Sequence, residues 1–151
     1  MRDLTSGAAA AVARHPLMAT FASFPMVCFI LALLNDLAYW RTAHLQWHNF
    51  AEWLLFAGLV GGGLVLLVEI VGLVLRFNAR GQGPGWLHAA GLLIVLVLGV
   101  VNSFVHARDG WTAIVPQGLV LSVAMVVGLV ITGWLGHASF LRRSAKVVPH
   151  G

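Results

Sequence analysis

The sequence predicts an all-α integral membrane protein: an up-down-up-down bundle of four transmembrane helices with both termini in the cytoplasm. Of its 151 residues, 60% are hydrophobic and only 9% are Asp, Glu, Lys or Arg, whereas soluble chains carry about 25% charged residues. Four apolar stretches can each hold the roughly 20 residues that cross a bilayer as a helix. The basic residues also collect in alternate connections. A water-soluble globule is therefore excluded, and a single multi-pass membrane domain is expected.

The first two predicted spans run near Pro16–Tyr39 and Phe50–Leu75. Pro16 stands in a first helical turn, where a missing backbone N–H costs little because that turn has no internal partner for it. Pro25 lies in mid-span and is expected to kink the first helix. Glu69 is the charged interruption of the second span. Each of these two spans thus carries one feature that a plain lipid-facing helix does not need.

The third and fourth spans are predicted near Trp86–Val105 and Ala113–Phe140. The third span is preceded by Gly83-Pro84-Gly85, and the fourth has Pro116 near its start. At these positions the residues mark helix starts and do not interrupt a helix. The connections are short, so helices that follow each other in sequence are expected to be antiparallel neighbours. The first fourteen residues lack the basic stretch and short apolar core of a cleavable signal peptide, so no processing is expected.

The net charge of +4 is interpreted as a topology signal. Arg41 and Arg108 fall on one predicted side of the membrane, and the other seven basic residues fall on the opposite side, which the positive-inside rule makes cytoplasmic. No Lys/Arg cluster interleaved with aromatics accompanies them, so no nucleic-acid partner is expected. The single cysteine, Cys28, excludes a disulfide framework and covalent c-type haem. The seven residues assigned to the cytoplasmic side are Arg2, Arg14, Arg76, Arg80, Arg142, Arg143 and Lys146.

Titratable side chains inside the spans form two predicted layers around an apolar middle. Each costs about 2.5–3.5 kcal/mol on insertion scales, so each calls for a partner or a function. The cytoplasmic layer contains His15, Glu69, His88 and His137. The outer layer contains Asp36, His44, His48, Glu52 and His106.

One interpretation of the cytoplasmic layer is a ligand site. Two of His15, His88 and His137 would hold a b-type haem axially, with Glu69 accepting a hydrogen bond from a ring N–H. The same residues also fit a non-haem metal site of three imidazoles and one carboxylate, or a proton relay. The structural alternative is that the histidines satisfy helix ends and that Glu69 reaches toward Arg76. No two of these histidines have a spacing that decides between these interpretations.

One face of the third span connects the two layers. His88 and His106 are 18 residues apart, which is five helical turns and roughly 27 Å along the axis. Asn102 lies near this stripe and is a candidate cofactor contact. Small residues in this span and in the neighbouring helices either permit close helix approach or leave a slot for a flat macrocycle. These are Gly58, Gly61, Gly62, Gly63, Gly99, Gly133 and Gly136.

The outer layer contains a metal-ligand spacing. His44 and His48 form a His-x-x-x-His pair, and Glu52 follows four residues later, so all three share one face if the second helix begins early. The alternative is that Asn49 caps the helix, which leaves both histidines in a solvated loop and Glu52 in a first turn where the helix dipole favours it. Two further residues could complete such a metal site, namely Asp36 and His106.

The chain contains a series of short motifs in a fixed order: His15-Pro16, Phe24-Pro25, Asp36-x-x-Tyr39, Ala51-x-Trp53, Ala57-Gly58-Leu59-Val60, Glu69, His88-Ala89, Asn102 and Gly133-Trp134-Leu135-Gly136. These ordered motifs resemble one known family, the bacterial predicted membrane proteins of domain of unknown function twenty-two thirty-one. The resemblance covers His15-Pro16 to about Arg143 and implies a four-helix domain of the bacterial inner membrane, found alone or joined to c-type cytochrome and related redox modules. The positions that match best are His15 and His88, so the resemblance favours them as the ligand pair.

The sequence departs from this family at two of the candidate residues. The family commonly has aspartate where this chain has Glu69, and usually has a second glycine where this chain has His137. The segment between His15-Pro16 and Phe24-Pro25 is also longer than the compact family form. A site that requires His137 is therefore peculiar to this chain.

Three functions follow from these residues. The first is an electron-transfer subunit that binds b-type haem and relays electrons between a c-type cytochrome or dehydrogenase and the membrane quinone pool. The second is a non-enzymatic anchor or structural subunit, with homo-oligomers allowed. The third is ion or proton conduction along Glu69, His88, Asn102 and His106, which the scarcity of polar residues in mid-bundle disfavours. Neither a nucleophile paired with a base nor a phosphate-binding loop is present, so hydrolase and transferase chemistry lack support.

Overall fold

The computed structural model of the chain describes residues 3–78, 85–108 and 114–147, with side chains described for 23–75, 86–108 and 115–135. Within these residues the chain is helical apart from short connections. A short π-helical segment, in which Val115 is extended (φ −112°, ψ 121°), leads into the last helix. The elements are α1 (Asp3–Thr42), α2 (Leu45–Asn78), α3 (Gly85–His106), the π-helical segment (Ile114–Gly118) and α4 (Leu119–Val147).

The four predicted spans are confirmed as helices long and apolar enough to cross a membrane. Each span meets the roughly 20-residue requirement without exceeding two charged residues in its apolar window. The first helix continues through Pro25, which is buried in the bundle. The spans are Ser23–Thr42, Leu45–Leu75, Trp86–His106 and Val115–Leu135.

The start of α2 differs from the helix start expected at Asn49. The connection between α1 and α2 is only Ala43 and His44, and α2 begins at Leu45. Ala43 has a left-handed φ of 54°, and its N–H donates to the Tyr39 carbonyl at 2.7 Å. This αL cap reverses the chain within two residues, so the helix begins one turn earlier than Asn49 suggested.

Each helix packs against the next one in sequence, and α4 packs against α1. Contacts between α1 and α2 run in opposite order along the two helices: the Phe24 ring lies against Gly61 and the Phe29 ring against Gly58. The same reversal holds between α3 and α4, where Gly91 meets Thr132 and Asn102 meets Ser122. Neighbouring helices are therefore antiparallel.

A small apolar core occupies the middle of the bundle, while large apolar side chains face outward. Trp53, Phe104 and Trp134 are each about 70% exposed, a surface that suits lipid rather than water. Of the largest core side chains, Phe29 and Leu55 are 1% exposed and Met125 is fully buried. The core consists of Phe29, Ala32, Leu55, Leu92, Val95, Leu96 and Met125.

The glycines of α2 are used mainly for close helix contact. A Cβ built on Gly58 would lie 2.5 Å from the Phe29 ring, and one on Gly62 would lie 2.6 Å from Leu96 Cδ2. Both distances are shorter than real contacts, so the space above these glycines is filled by side chains and is not an open slot. Gly63 differs, because no described atom lies within 4 Å of its Cβ position.

Gly58→Ala is expected to destabilise the bundle by about 1–3 kcal/mol, because its methyl group would overlap the buried Phe29 ring. Gly63→Ala is the matched control. It adds the same methyl group to the same helix in open space, and the better helix propensity of alanine makes it neutral or slightly stabilising. Thermal unfolding of the two variants in detergent measures the difference. Equal melting temperatures would show that the α1–α2 contact is not close.

Candidate functional sites

The first site is a hydrogen-bonded group of four fully buried side chains, which we call the Asp36 network: Asp36, Asn102, His106 and Ser122. It joins three helices, with Asp36 from α1, Asn102 and His106 from α3, and Ser122 from α4. None of the four is more than 1% exposed. It lies where α1 and α3 end and α2 and α4 begin, which we call the Asp36 end of the bundle.

The hydrogen bonds of the Asp36 network close a ring. Asn102 Nδ2 donates to Ser122 Oγ at 2.8 Å, and Ser122 Oγ donates to Asp36 Oδ2 at 2.5 Å. His106 Nε2 lies 2.9 Å from Asp36 Oδ1, and His106 Nδ1 lies 3.0 Å from the Asn102 carbonyl oxygen. Both carboxylate oxygens and both imidazole nitrogens are engaged. His106 therefore has no nitrogen left for a metal or a haem iron.

Two residues of α2 extend this network toward the end of the bundle. The His48 ring stacks on the His106 ring, with centroids 5.7 Å apart and planes inclined by 14°. His48 Nε2 lies 3.3 Å from Glu52 Oε1, and the exposed fraction is 16% for the His48 side chain and 40% for that of Glu52. The Tyr39 ring lies 6.0 Å from the His48 ring. Burial thus increases stepwise from Glu52 to His106.

On its other side, the Asp36 network borders the apolar core. Asn102 Nδ2 also lies 3.8 Å from the sulfur of Met125, which is a core residue. Asn102 Oδ1 is buried and has no hydrogen-bond partner among the described residues. Polar contacts from the Asp36 end therefore stop at the middle of the bundle.

The second site lies at the opposite end, where α2 and α3 are joined. His88 Nδ1 lies 2.8 Å from Glu69 Oε1, and both side chains are about 30% exposed. The carboxylate can only accept when ionised, so this contact places the ring proton on Nδ1. Glu69 Oε2 is buried without a described partner. The arrangement leaves the Nε2 lone pair of a neutral His88 facing away from its carboxylate partner.

The remaining predicted site residues fall in three places. His15 and His137 lie outside the part of the chain whose side chains are described, so their roles as ligands stay predictions. His44 is exposed in the connection before α2. His48 and Glu52 share a helical face, as an early start of α2 allows, whereas the solvated-loop interpretation of His48 is wrong. Across the described residues, no group of three or more His, Cys, Asp or Glu side chains is arranged to hold a metal ion.

The pairing within the Asp36 network was not evident from sequence. Asp36 and His106 are separated by 70 positions and belong to non-consecutive helices. Ser122 had no signal beyond being a hydroxyl in an apolar span. The hydropathy pattern placed Asp36 and His106 at similar depth, which is the one sequence feature that links them.

The helix arrangement and the two polar sites define the chain as a small four-helix membrane protein with ionisable groups near both ends of its bundle. It belongs to the family described as Predicted membrane protein (DUF2231), which it matches over residues 14–149. This match confirms the resemblance found in the motifs. No curated protein matches the chain, and no solved structure does.

Proposed function

We propose that the chain is an electron-transfer subunit of a bacterial inner membrane, with both termini cytoplasmic, and that it binds a b-type haem through His88 and His15. The observation that carries the proposal is the geometry of His88. Glu69 fixes the imidazole through Nδ1, and Nε2 has no hydrogen bond among the described side chains. Histidines that ligate metals commonly carry a carboxylate or carbonyl on the other ring nitrogen, which fixes their orientation and raises their basicity.

The register of α1 against α2 supports His15 as the second ligand. Phe24 lies against Gly61 and Phe29 against Gly58. Continued toward the start of α1, this antiparallel register brings position 15 to the level of about residue 70 of α2. That is the depth of Glu69 and hence of His88. Positions 15 and 88 would then lie at one depth on α1 and α3, two helices that are diagonally opposite in the bundle and both pack against α2 and α4.

The close packing of the glycines limits where a haem would lie. The surfaces at Gly58 and Gly62 are filled by Phe29 and Leu96, so they do not accommodate a macrocycle. The group would instead lie at the Glu69 end, beyond these contacts. His88 and His15 would hold the haem and Glu69 would orient His88, and the group, when bound, would supply a one-electron redox centre. Electrons would pass between a c-type cytochrome or dehydrogenase on the outer face and the quinone pool.

The wild-type protein, purified in detergent, is expected to show a Soret band that shifts on reduction with dithionite and an alpha band that appears with it. His88→Ala should lose both bands, because it removes an axial ligand. His44→Ala is the matched control: it removes an exposed histidine outside both polar sites and should leave the spectrum unchanged. A colourless wild-type protein that also fails to take up added haem would overturn the proposal. So would unchanged bands in His88→Ala.

A second candidate function is a structural membrane subunit without a cofactor, alone or as a homo-oligomer. The closed ring of the Asp36 network favours it, because hydrogen bonds that join three helices hold a bundle together. In this case the spectrum would be blank, and His88→Ala would change only the stability of the protein. The same measurement therefore separates the two functions.

A further inference from the structure

We infer that the Asp36 network is a proton-binding site, which exchanges one proton with the membrane surface at the Asp36 end of the bundle through His48 and Glu52. This site is separate from the Glu69–His88 pair, and the inference does not depend on the proposed haem. It follows from the hydrogen-bond donors of the ring, from the absence of a fixed counter-charge and from the graded exposure of the residues that lead to it.

The donors and acceptors of the ring leave room for one mobile proton. The Asn102 carbonyl can only accept, so His106 Nδ1 must carry its own hydrogen. Ser122 donates to Asp36 Oδ2. The remaining contact, between His106 Nε2 and Asp36 Oδ1, is 2.9 Å long and needs one hydrogen. That hydrogen belongs either to an imidazolium or to a carboxylic acid.

Loss or gain of one proton disturbs this contact. Without the hydrogen, the lone pair of His106 Nε2 would face a carboxylate lone pair at 2.9 Å. With a second hydrogen, two donors would oppose each other. Both groups are fully buried, so water does not relieve either arrangement. Asp36 and His106 thus act as a couple that holds one proton, and its net charge is zero when the proton is bound.

No fixed cation balances this couple in the described part of the bundle. The titratable groups around the couple are His48 and Glu52 from α2, and Tyr39 from α1, whose ring lies 6.0 Å from the His48 ring. Among the described residues, α4 contributes one side chain to the network, the Ser122 hydroxyl. The two basic residues described at this end, Arg41 in α1 and Arg108 just after α3, are both exposed, and Arg41 lies over the Trp40 ring. Within the part of the chain that the structure describes, the proton is therefore the only positive charge in contact with the buried carboxylate.

His48 and Glu52 form the connection to the surface. Glu52 is 40% exposed and contacts His48 Nε2, while His48 Nδ1 is buried without a partner among the described residues. The stacked rings of His48 and His106 are 5.7 Å apart, so a proton on one ring disfavours a second proton on the other. A proton from surface water would pass to Glu52 and then to His48 Nε2, while His48 releases one from Nδ1. The stacked His48 ring makes no hydrogen bond to the couple among the described residues, so this last transfer requires the His48 ring to turn out of the stack toward Asp36. The couple returns a proton by the reverse route. No electrons move in this exchange.

The apolar core closes the path on the other side. Beyond Asn102 the next contact is the Met125 sulfur, followed by the side chains of the core. Without polar lining, water does not continue through this layer to the Glu69–His88 pair. The site therefore takes up and returns a proton on one side of the membrane and does not conduct it across.

The test uses the purified protein and infrared spectroscopy over a pH series. The Asp36 carboxyl and the His106 imidazole bands, assigned with Asp36→Asn and with ¹⁵N-labelled histidine, are expected to change together at one midpoint. Constant bands over the pH range in which the protein stays folded would overturn the inference. So would two independent midpoints, because the couple would then not share one proton.

The surface connection is tested by the rate at which the network exchanges hydrogen for deuterium. His48→Phe keeps a ring over His106 and removes its nitrogens, so exchange should slow at least tenfold. His44→Phe, at the same end but outside the network, should exchange like the wild type. If His48→Phe does not fold, Glu52→Gln tests the same connection from the surface. Wild-type exchange rates in a folded variant of His48 or Glu52 would overturn the proposed path.

Discussion

Asp36→Ala is expected to destabilise the folded bundle by about 3–5 kcal/mol, the range for removing one partner of a buried pair. The substitution leaves His106 Nε2 and the Ser122 hydroxyl without their acceptor in a fully buried setting. Unsatisfied polar groups cost more in an apolar surrounding than their hydrogen bond contributes, because they lose water without gaining a partner. Equilibrium unfolding in mixed micelles of increasing denaturing-detergent fraction measures the change in the free energy of unfolding.

Two comparisons make this prediction specific to the buried couple. Asp36→Leu combined with His106→Leu removes both ionisable groups, so we expect it to be less destabilising than Asp36→Ala alone. Glu52→Gln changes an exposed carboxylate of the same end and should cost no more than about 1 kcal/mol. If Asp36→Ala and Glu52→Gln have equal stabilities, the ring of hydrogen bonds does not hold the three helices together.

The helices were predictable from sequence because lipid imposes a simple rule on the chain. An apolar stretch of the required length has to be helical to satisfy its backbone, so the four spans followed from hydropathy alone. The start of α2 was not predictable in the same way. Asn49 has the side chain of a helix cap, but the left-handed Ala43 and its bond to the Tyr39 carbonyl end α1 so abruptly that α2 begins at Leu45. The two-residue connection therefore determined where α2 begins, although Asn49 is a preferred helix-capping residue.

The depth of each candidate site residue in the bundle was predictable from sequence, but which side chains contact each other was not. Hydropathy placed Asp36 and His106 in one layer and Glu69 and His88 in the other, and each pair is in contact in the structure. Which side chains meet within a layer depends on the order of the helices around the bundle and on the rotation of each helix about its own axis. The spacing of residues along one helix determines neither. His88 and His106 share a stripe of α3 by spacing, yet they bond to different helices. Ser122 joins its network only because α4 packs beside α1.

The role of the glycines shows the same limit, since a small residue in a span suits either a helix contact or a ligand slot. In the structure the ring of Phe29 covers Gly58, and the side chain of Leu96 covers Gly62. These two positions therefore belong to the core. The open face at Gly63 lies one residue further along α2 and carries no such contact among the described side chains.

Phe29→Ala is expected to destabilise the bundle by about 3–5 kcal/mol, because Phe29 is 1% exposed and fills the space against Gly58. Lipid tails are as apolar as the core, so the loss comes mainly from missing packing contacts rather than from transfer out of water. Phe56→Ala is the matched control. It removes the same ring from a position 59% exposed toward lipid and should have a much smaller effect in the same unfolding measurement.

A compensating change separates packing from ligand binding at this face. Gly58→Leu alone should be destabilising, since its side chain collides with the Phe29 ring. Combined with Phe29→Ala, it places a smaller apolar group in the emptied space and should recover part of the lost stability. Neither change should affect haem binding, because the proposed ligands on α1 and α3 lie at the level of Glu69, about three turns along α2 from Gly58. If Phe29→Ala were as stable as Phe56→Ala and altered the haem spectrum, the glycine face would instead be the wall of a ligand slot.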